Sequence, residues 1–116
     1  MNKSLKLVVN NSFKIEDKKN FFEKKELEII LNLYAKMVSN GSWKDYGLSL
    51  ESKVISFDVY QRASEKPVFR ILKNLKPINL NEKFLIKDKN GKTIKKSENL
   101  HRLINKTSWN NLKIIK

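Results

Sequence analysis

Tyr60, Arg62 and Arg70 lie in one short stretch, Tyr60-Gln61-Arg62-Ala63-Ser64-Glu65-Lys66-Pro67-Val68-Phe69-Arg70, which holds two of the chain's three arginines. An aromatic ring stacks on a nucleobase and a guanidinium grips phosphate through paired donors. Presented together on a sheet, these three side chains would suit nucleic-acid recognition. Further on, Lys87, Lys89, Lys92, Lys95 and Lys96 surround Asn90-Gly91. A basic hairpin of this kind could bind phosphates, each contact gaining free energy by counterion release. Both sets also have plainer uses. Asp45 or Glu65 could pair with Arg62 or Arg70 and fix a hairpin. Lysines on exposed strands keep a protein soluble and discourage edge pairing.

Catalytic constellations are weak. Glu51-Ser52-Lys53, with Asp45 upstream, matches a fragment of a metal-dependent nuclease pattern. Such a site needs carboxylates converging on a metal ion, and Glu51 falls in a predicted turn. Ser64, His101 and an acid could be drawn as a triad, but no nucleophile elbow accompanies them. With no cysteine and one histidine, thiolate and histidine-rich metal centres are excluded. The expectation is a protein without catalytic residues, metal or cofactor.

The charge is lopsided. Residues 1–65 carry 11 basic against 9 acidic side chains, and residues 66–116 carry 14 against 3, within a total of +13. A basic half points to a polyanionic partner. Of the 25 basic residues 22 are lysine, and the chain has 14 asparagines and only two alanines. That is the composition of a low-GC genome, so codon bias accounts for part of the excess, though less readily for its asymmetry. No RNA- or zinc-binding signature accompanies the charge. Residues 27–38 are interrupted by Glu28, Asn32 and Lys36, and the first apolar run, Leu7-Val8-Val9, is too short for a signal peptide. A cytoplasmic protein with no membrane partner is expected.

At 116 residues the chain suits one domain. Residues 1–20 read as a mobile arm, residues 21–116 as a single α+β domain. Leu27, Ile30, Leu31, Tyr34, Met37 and Val38 share one face of a helix over 23–39, which Asn40-Gly41 ends. The period then falls to two. Strands are predicted from Tyr46 to Leu50, from Ile55 to Tyr60, from Pro67 to Leu72, and on either side of Asn90-Gly91. In the third strand, Phe69 and Ile71 should share one face and Val68, Arg70 and Leu72 the other. Ser97 is the expected N-cap of a short helix bearing Leu100, Leu103 and Ile104, and Leu112, Ile114 and Ile115 suggest a last strand. The predicted architecture is an N-terminal amphipathic helix on an antiparallel meander of about five strands, with a short C-terminal helix.

Gly41, Trp43, Asp45 and Tyr46 form a Gly-x-Trp-x-Asp-Tyr pattern, and Arg62, Ala63, Ser64, Glu65 and Pro67 an Arg-Ala-Ser-Glu-x-Pro turn, followed by Arg70-Ile71. With Phe22 to Leu27, Ile30-Leu31, Tyr34, Met37-Val38, Gly91 and Leu100, these motifs resemble a family of small alphaproteobacterial proteins catalogued as domain of unknown function 2794. The resemblance spans roughly residues 22–105. It departs where Ala35 and Lys36 stand in place of a glycine and an arginine. It implies domain boundaries and compartment and no activity. Gly41, Trp43, Asp45, Tyr46, Ser64, Glu65 and Pro67 are accordingly read as structural, Trp43 capping the core at the helix–strand corner.

These readings lead to a non-enzymatic binding module for nucleic acid or a nucleoprotein, using Tyr60, Arg62, Arg70, Lys87, Lys89, Lys92, Lys95 and Lys96. The alternative is a protein-interaction or homodimerising subunit that makes contact through an exposed apolar strand face and Trp109.

Overall fold

The N-terminal helix α1 (Lys24–Ser39) is fastened at both ends by its own sequence. At its start, the Glu26 carboxylate reaches back and accepts the Glu23 backbone N–H at 2.7 Å, one half of a capping box. At its end, Gly41 turns left-handed at φ 85°, its N–H donates to the Val38 carbonyl, and the Ser42 N–H donates to Met37. That arrangement satisfies carbonyls the helix leaves open, at a position where an L side chain would be strained. The computed structural model describes residues 22–62, 66–107 and 109. The expected arm over residues 1–20, the last strand at Leu112 to Ile115, and Ser64 and Glu65 lie outside the described residues.

Five strands follow: β1 (Asp45–Glu51), β2 (Val54–Tyr60), β3 (Phe69–Asn74), β4 (Phe84–Asp88) and β5 (Thr93–Ser97). They form one antiparallel sheet in chain order, as the meander reading anticipated. Ile55, Phe57 and Val59 alternate along β2 onto one face and are fully buried. Phe69 and Ile71 from β3 and Phe84 and Ile86 from β4 extend this layer. Ile30, Leu33 and Met37 of α1 cover it, together with Leu100, Leu103 and Ile104 of α2 (Leu100–Lys106). Both helices therefore pack on the same side of the sheet.

Several local expectations are corrected. The buried stripe of α1 is rotated towards Leu33, leaving Leu31 and Val38 more than a third exposed, because the helix meets the sheet on its Ile30–Leu33–Met37 line. Val68 is a core residue. It precedes β3, where strand alternation does not bind it, and its N–H donates to the Val59 carbonyl at 2.7 Å. The N-cap of α2 is Asn99, whose side chain accepts the Arg102 N–H at 2.8 Å; Ser97 is taken up by β5, opposite Phe84. Trp109 is not a free contact surface. Its ring meets Trp43 and Phe69 edge-on at 5.4 and 5.6 Å, and its indole N–H donates to the Ile104 carbonyl. Trp43, only 1% exposed, does close the corner between α1 and β1.

Among the described residues, a charged pair crosses the core. Lys73 on β3 faces the helices and donates from Nζ to the Glu26 carboxylate at 2.8 Å, with the two side chains 7% and 13% exposed. The same Glu26 oxygen caps α1, so a single carboxylate ties the helix start to the sheet. Removing one partner of a buried pair leaves the other charge uncompensated. Lys73→Ala should lower the unfolding free energy by about 3–5 kcal/mol in urea titration. Glu26→Gln with Lys73→Met keeps the capping acceptor and the volume, and should recover most of that loss. A cost below about 1 kcal/mol for Lys73→Ala would show that the pair acts as a surface bridge.

Candidate nucleic-acid interface

Strand alternation that buries Ile55, Phe57 and Val59 turns Ser56, Asp58 and Tyr60 to the opposite face. The register then lines up a row across all five strands: Gly47, Asp58, Arg70, Lys87 and Thr93 are successive Cα partners. A second row runs Ser49, Ser56, Leu72, Leu85, Lys96. Neither of the two described helices lies on this side. Of the expected binding residues, Tyr60, Arg70, Lys87 and Lys96 share this face.

Asp58 organises its centre. The carboxylate accepts Arg70 Nε at 2.8 Å, Ser49 Oγ at 3.2 Å, and Ser56 Oγ. With three donors on it and only 7% exposure, Asp58 is held as an acceptor hub. Arg70 remains about a third exposed, and the bond to Asp58 uses the inner nitrogen of its guanidinium. Its outer nitrogens make no bond to another described residue, so a carboxylate that anchors the side chain still leaves a donor edge for an anion.

The partner of Arg70 is thus Asp58, where Asp45 or Glu65 was expected. Asp45 is spent locally, accepting the Tyr46 N–H at 2.8 Å. Tyr60 stands beside this cluster at the end of β2, and a Cβ on Gly47 would meet its ring at 3.9 Å. Burial pushes the Tyr60 phenol above its ordinary value, Asp58 adds to this, and Arg70 pulls the other way.

The lysines do not form one surface. Lys87 and Lys96 point with Arg70, whereas Lys95 pairs with Ile86 and so lies on the helix side of the edge strand. A register shift between Ile86 and Lys87 interrupts that strand pair. Lys89 and Lys92 occupy the exposed hairpin tip. There Gly91 turns at φ 84°, and the Asp88 carboxylate accepts the N–H groups of Asn90 and Lys92. Lys96 pairs with Glu82 at 3.3 Å, an exposed contact of little energetic weight. Among the described residues, Lys87, Lys89, Lys92 and Lys95 have no carboxylate at ion-pair distance. Arg62 is exposed and lies past the end of β2, off the sheet face.

Asp45 and Glu51, weighed for a metal site, do not converge. They sit at opposite ends of β1, about 20 Å apart by strand rise. His101 is exposed on α2 and contacts Asn105. Among the described residues, no cluster of three or more His, Cys, Asp or Glu side chains is arranged to hold a metal ion.

The family model described as "Protein of unknown function (DUF2794)" matches residues 20–104. The chain belongs to this family. No curated protein and no solved structure matches it. The matched span takes in α1, the whole sheet and most of α2, so the family model covers both the Asp58–Arg70 cluster and the Trp43 corner. No helix among the described residues is long and apolar enough to cross a membrane.

Ser49 and Ser56, and Asp58 as the partner of Arg70, are missed when the sequence is read alone. A signal is present in Ser56-Phe57-Asp58, where polar residues alternate with core residues. What it lacks is the register that brings Ser49 and Arg70 alongside.

The three tyrosines offer a check on this packing. Tyr34, Tyr46 and Tyr60 all have phenols raised above 10.0, chiefly by burial. A raised folded-state pKa means the folded protein keeps a proton that the unfolded chain has lost. Their stabilising contribution is therefore complete below the unfolded value near 10 and is lost as pH rises through the folded values. Tyrosinate absorbance should titrate at higher pH in the native protein than in urea. A native midpoint at or below the unfolded one would contradict the packing.

Proposed function

We propose that this protein is a non-enzymatic module that binds nucleic acid, alone or within a nucleoprotein, through the helix-free face of its sheet. The observation that carries the reading is the direct pairing of Arg70 and Lys87 on adjacent strands, with Arg70 oriented by Asp58 and Tyr60 alongside. Two cations and an aromatic ring on a sheet face offer phosphate contact and base stacking together. The tip lysines, Lys89 and Lys92, extend the positive field beyond the sheet, which favours encounter with a polyanion. A cytoplasmic setting agrees with a chain of +13 charge and no cysteine.

A protein partner is the second reading. It is favoured by the loop between β3 and β4, where Ile78 is 96% and Leu80 65% exposed. A second copy of the chain could use the same loop.

Fluorescence anisotropy with labelled RNA and duplex DNA, at about 50 mM and 200 mM salt, tests the first reading. Binding should persist at the higher salt. Lys87→Ala should weaken it and reduce the log–log salt slope by about 1, the share of a single phosphate. Arg70→Ala should weaken it further. Binding that vanishes with salt and ignores both substitutions would overturn the reading and direct attention to Ile78 and Leu80.

A further inference from the structure

Resting on the nucleic-acid reading, we infer that the ligand is a single strand, laid across β2 to β5 with one base on Tyr60 and another over the Leu85 groove. Three features of the helix-free face lead there.

The first is shape. Both described helices pack on the other side, so among the described residues this face presents no helix to enter a major groove. A duplex also hides the faces of its bases, which would leave Tyr60 without a stacking partner, whereas unpaired bases expose theirs.

The second is a shallow groove of about 400 Å³ at the β4–β5 margin. Leu85 and Ile94 line it with apolar surface, Thr93 adds a hydroxyl, and the Lys96–Glu82 pair borders it, while Lys95, which also touches the groove, is turned by the register to the helix side. Apolar surface bordered by cations and hydrogen-bonding groups suits a base attached to a phosphate. Tyr60 lies two residues to one side of the Arg70–Lys87 row and the Leu85–Lys96 row two residues to the other, so the two base positions are separated by about 14 Å across the strands and about 13 Å along them. Arg70 and Lys87 lie between the two base positions, where the linking phosphates would fall.

The third is charge along the sheet. β1 carries Asp45 and Glu51 and no lysine or arginine, while β4 and β5 together carry Lys87, Lys95 and Lys96 against Asp88 alone. Asp88 is occupied with backbone amides of the hairpin tip. The potential therefore favours a polyanion that leaves over β5 and opposes one that leaves over β1.

The test compares a labelled oligouridylate with a duplex of equal length, at matched salt, on the full chain. The single strand should bind at least tenfold more tightly. Tyr60→Ala should weaken it about tenfold with the salt slope unchanged, since stacking releases no counterions. Tyr60→Phe should retain the affinity. Should Tyr60→Ala fail to fold, ultraviolet crosslinking of the wild-type protein to an iodouridine-bearing oligomer supplies the second readout, and crosslinks should map to Tyr60 and to β5. Equal or tighter duplex binding, an inert Tyr60→Ala, or crosslinks confined to α1 and α2 would overturn the single-strand inference while nucleic-acid binding stood. Binding to neither probe would overturn the underlying reading instead.

Discussion

Burial of Ile55, Phe57 and Val59 beneath α1 is the constraint on which the rest depends. Side chains alternate strictly along a strand, so a slip of one residue would turn these three to water and bring Ser56, Asp58 and Tyr60 into the core. The apolar layer thus decides where every polar group of β2 points. Because β2 is central to the β1–β2–β3 pairing, it also decides which residues of the neighbouring strands can reach Asp58. The acceptor hub on the open face is a consequence of the hydrophobic choice made on the closed one.

The two faces handle charge differently. On the helix side, Lys73 and Glu26 are almost dry, and a single carboxylate oxygen serves both the lysine and the cap of α1. An arrangement of this kind specifies one placement of the helix start, because other placements would bury an unmatched charge. On the other side, Asp58 is as dry but Arg70 is about a third exposed, and their pairing orients the guanidinium while leaving its outer nitrogens without a bond to another described residue. The first pair makes the fold definite; the second leaves a donor edge pointing outward.

The basic half of the chain is less uniform in space than along the sequence. All three of its carboxylates, Glu82, Asp88 and Glu98, sit close to the β4–β5 hairpin, and two are engaged, Glu82 with Lys96 and Asp88 with the tip backbone. Alternation then divides the lysines between the faces and the tip. On the open face the unpaired positive charge is that of Lys87, which no described carboxylate reaches, with the donor edge of the Asp58-bound Arg70 beside it. The opposite margin, β1, is left acidic, which gives the face a direction.

Much was legible in the residues. The 3.6-residue period of α1, the period-two runs of the strands, Gly41 and Gly91 at left-handed turns, and the meander order all follow from local preferences acting within a few residues. Tyr60, Arg70 and Lys87 could be named as candidates because their chemistry is intrinsic to the side chain. Non-local geometry could not be read in the same way. Asp58 became the partner of Arg70 through strand register, Trp109 was drawn into the core by Trp43 and Phe69, and Lys95 was parted from Lys96 by the pleat. Which elements form, and which side chains carry charge, could be read from the order of residues, since both depend on neighbours along the chain. Which charges meet, and on which face, had to await the folded arrangement, because register and helix docking are set by burying one shared apolar layer.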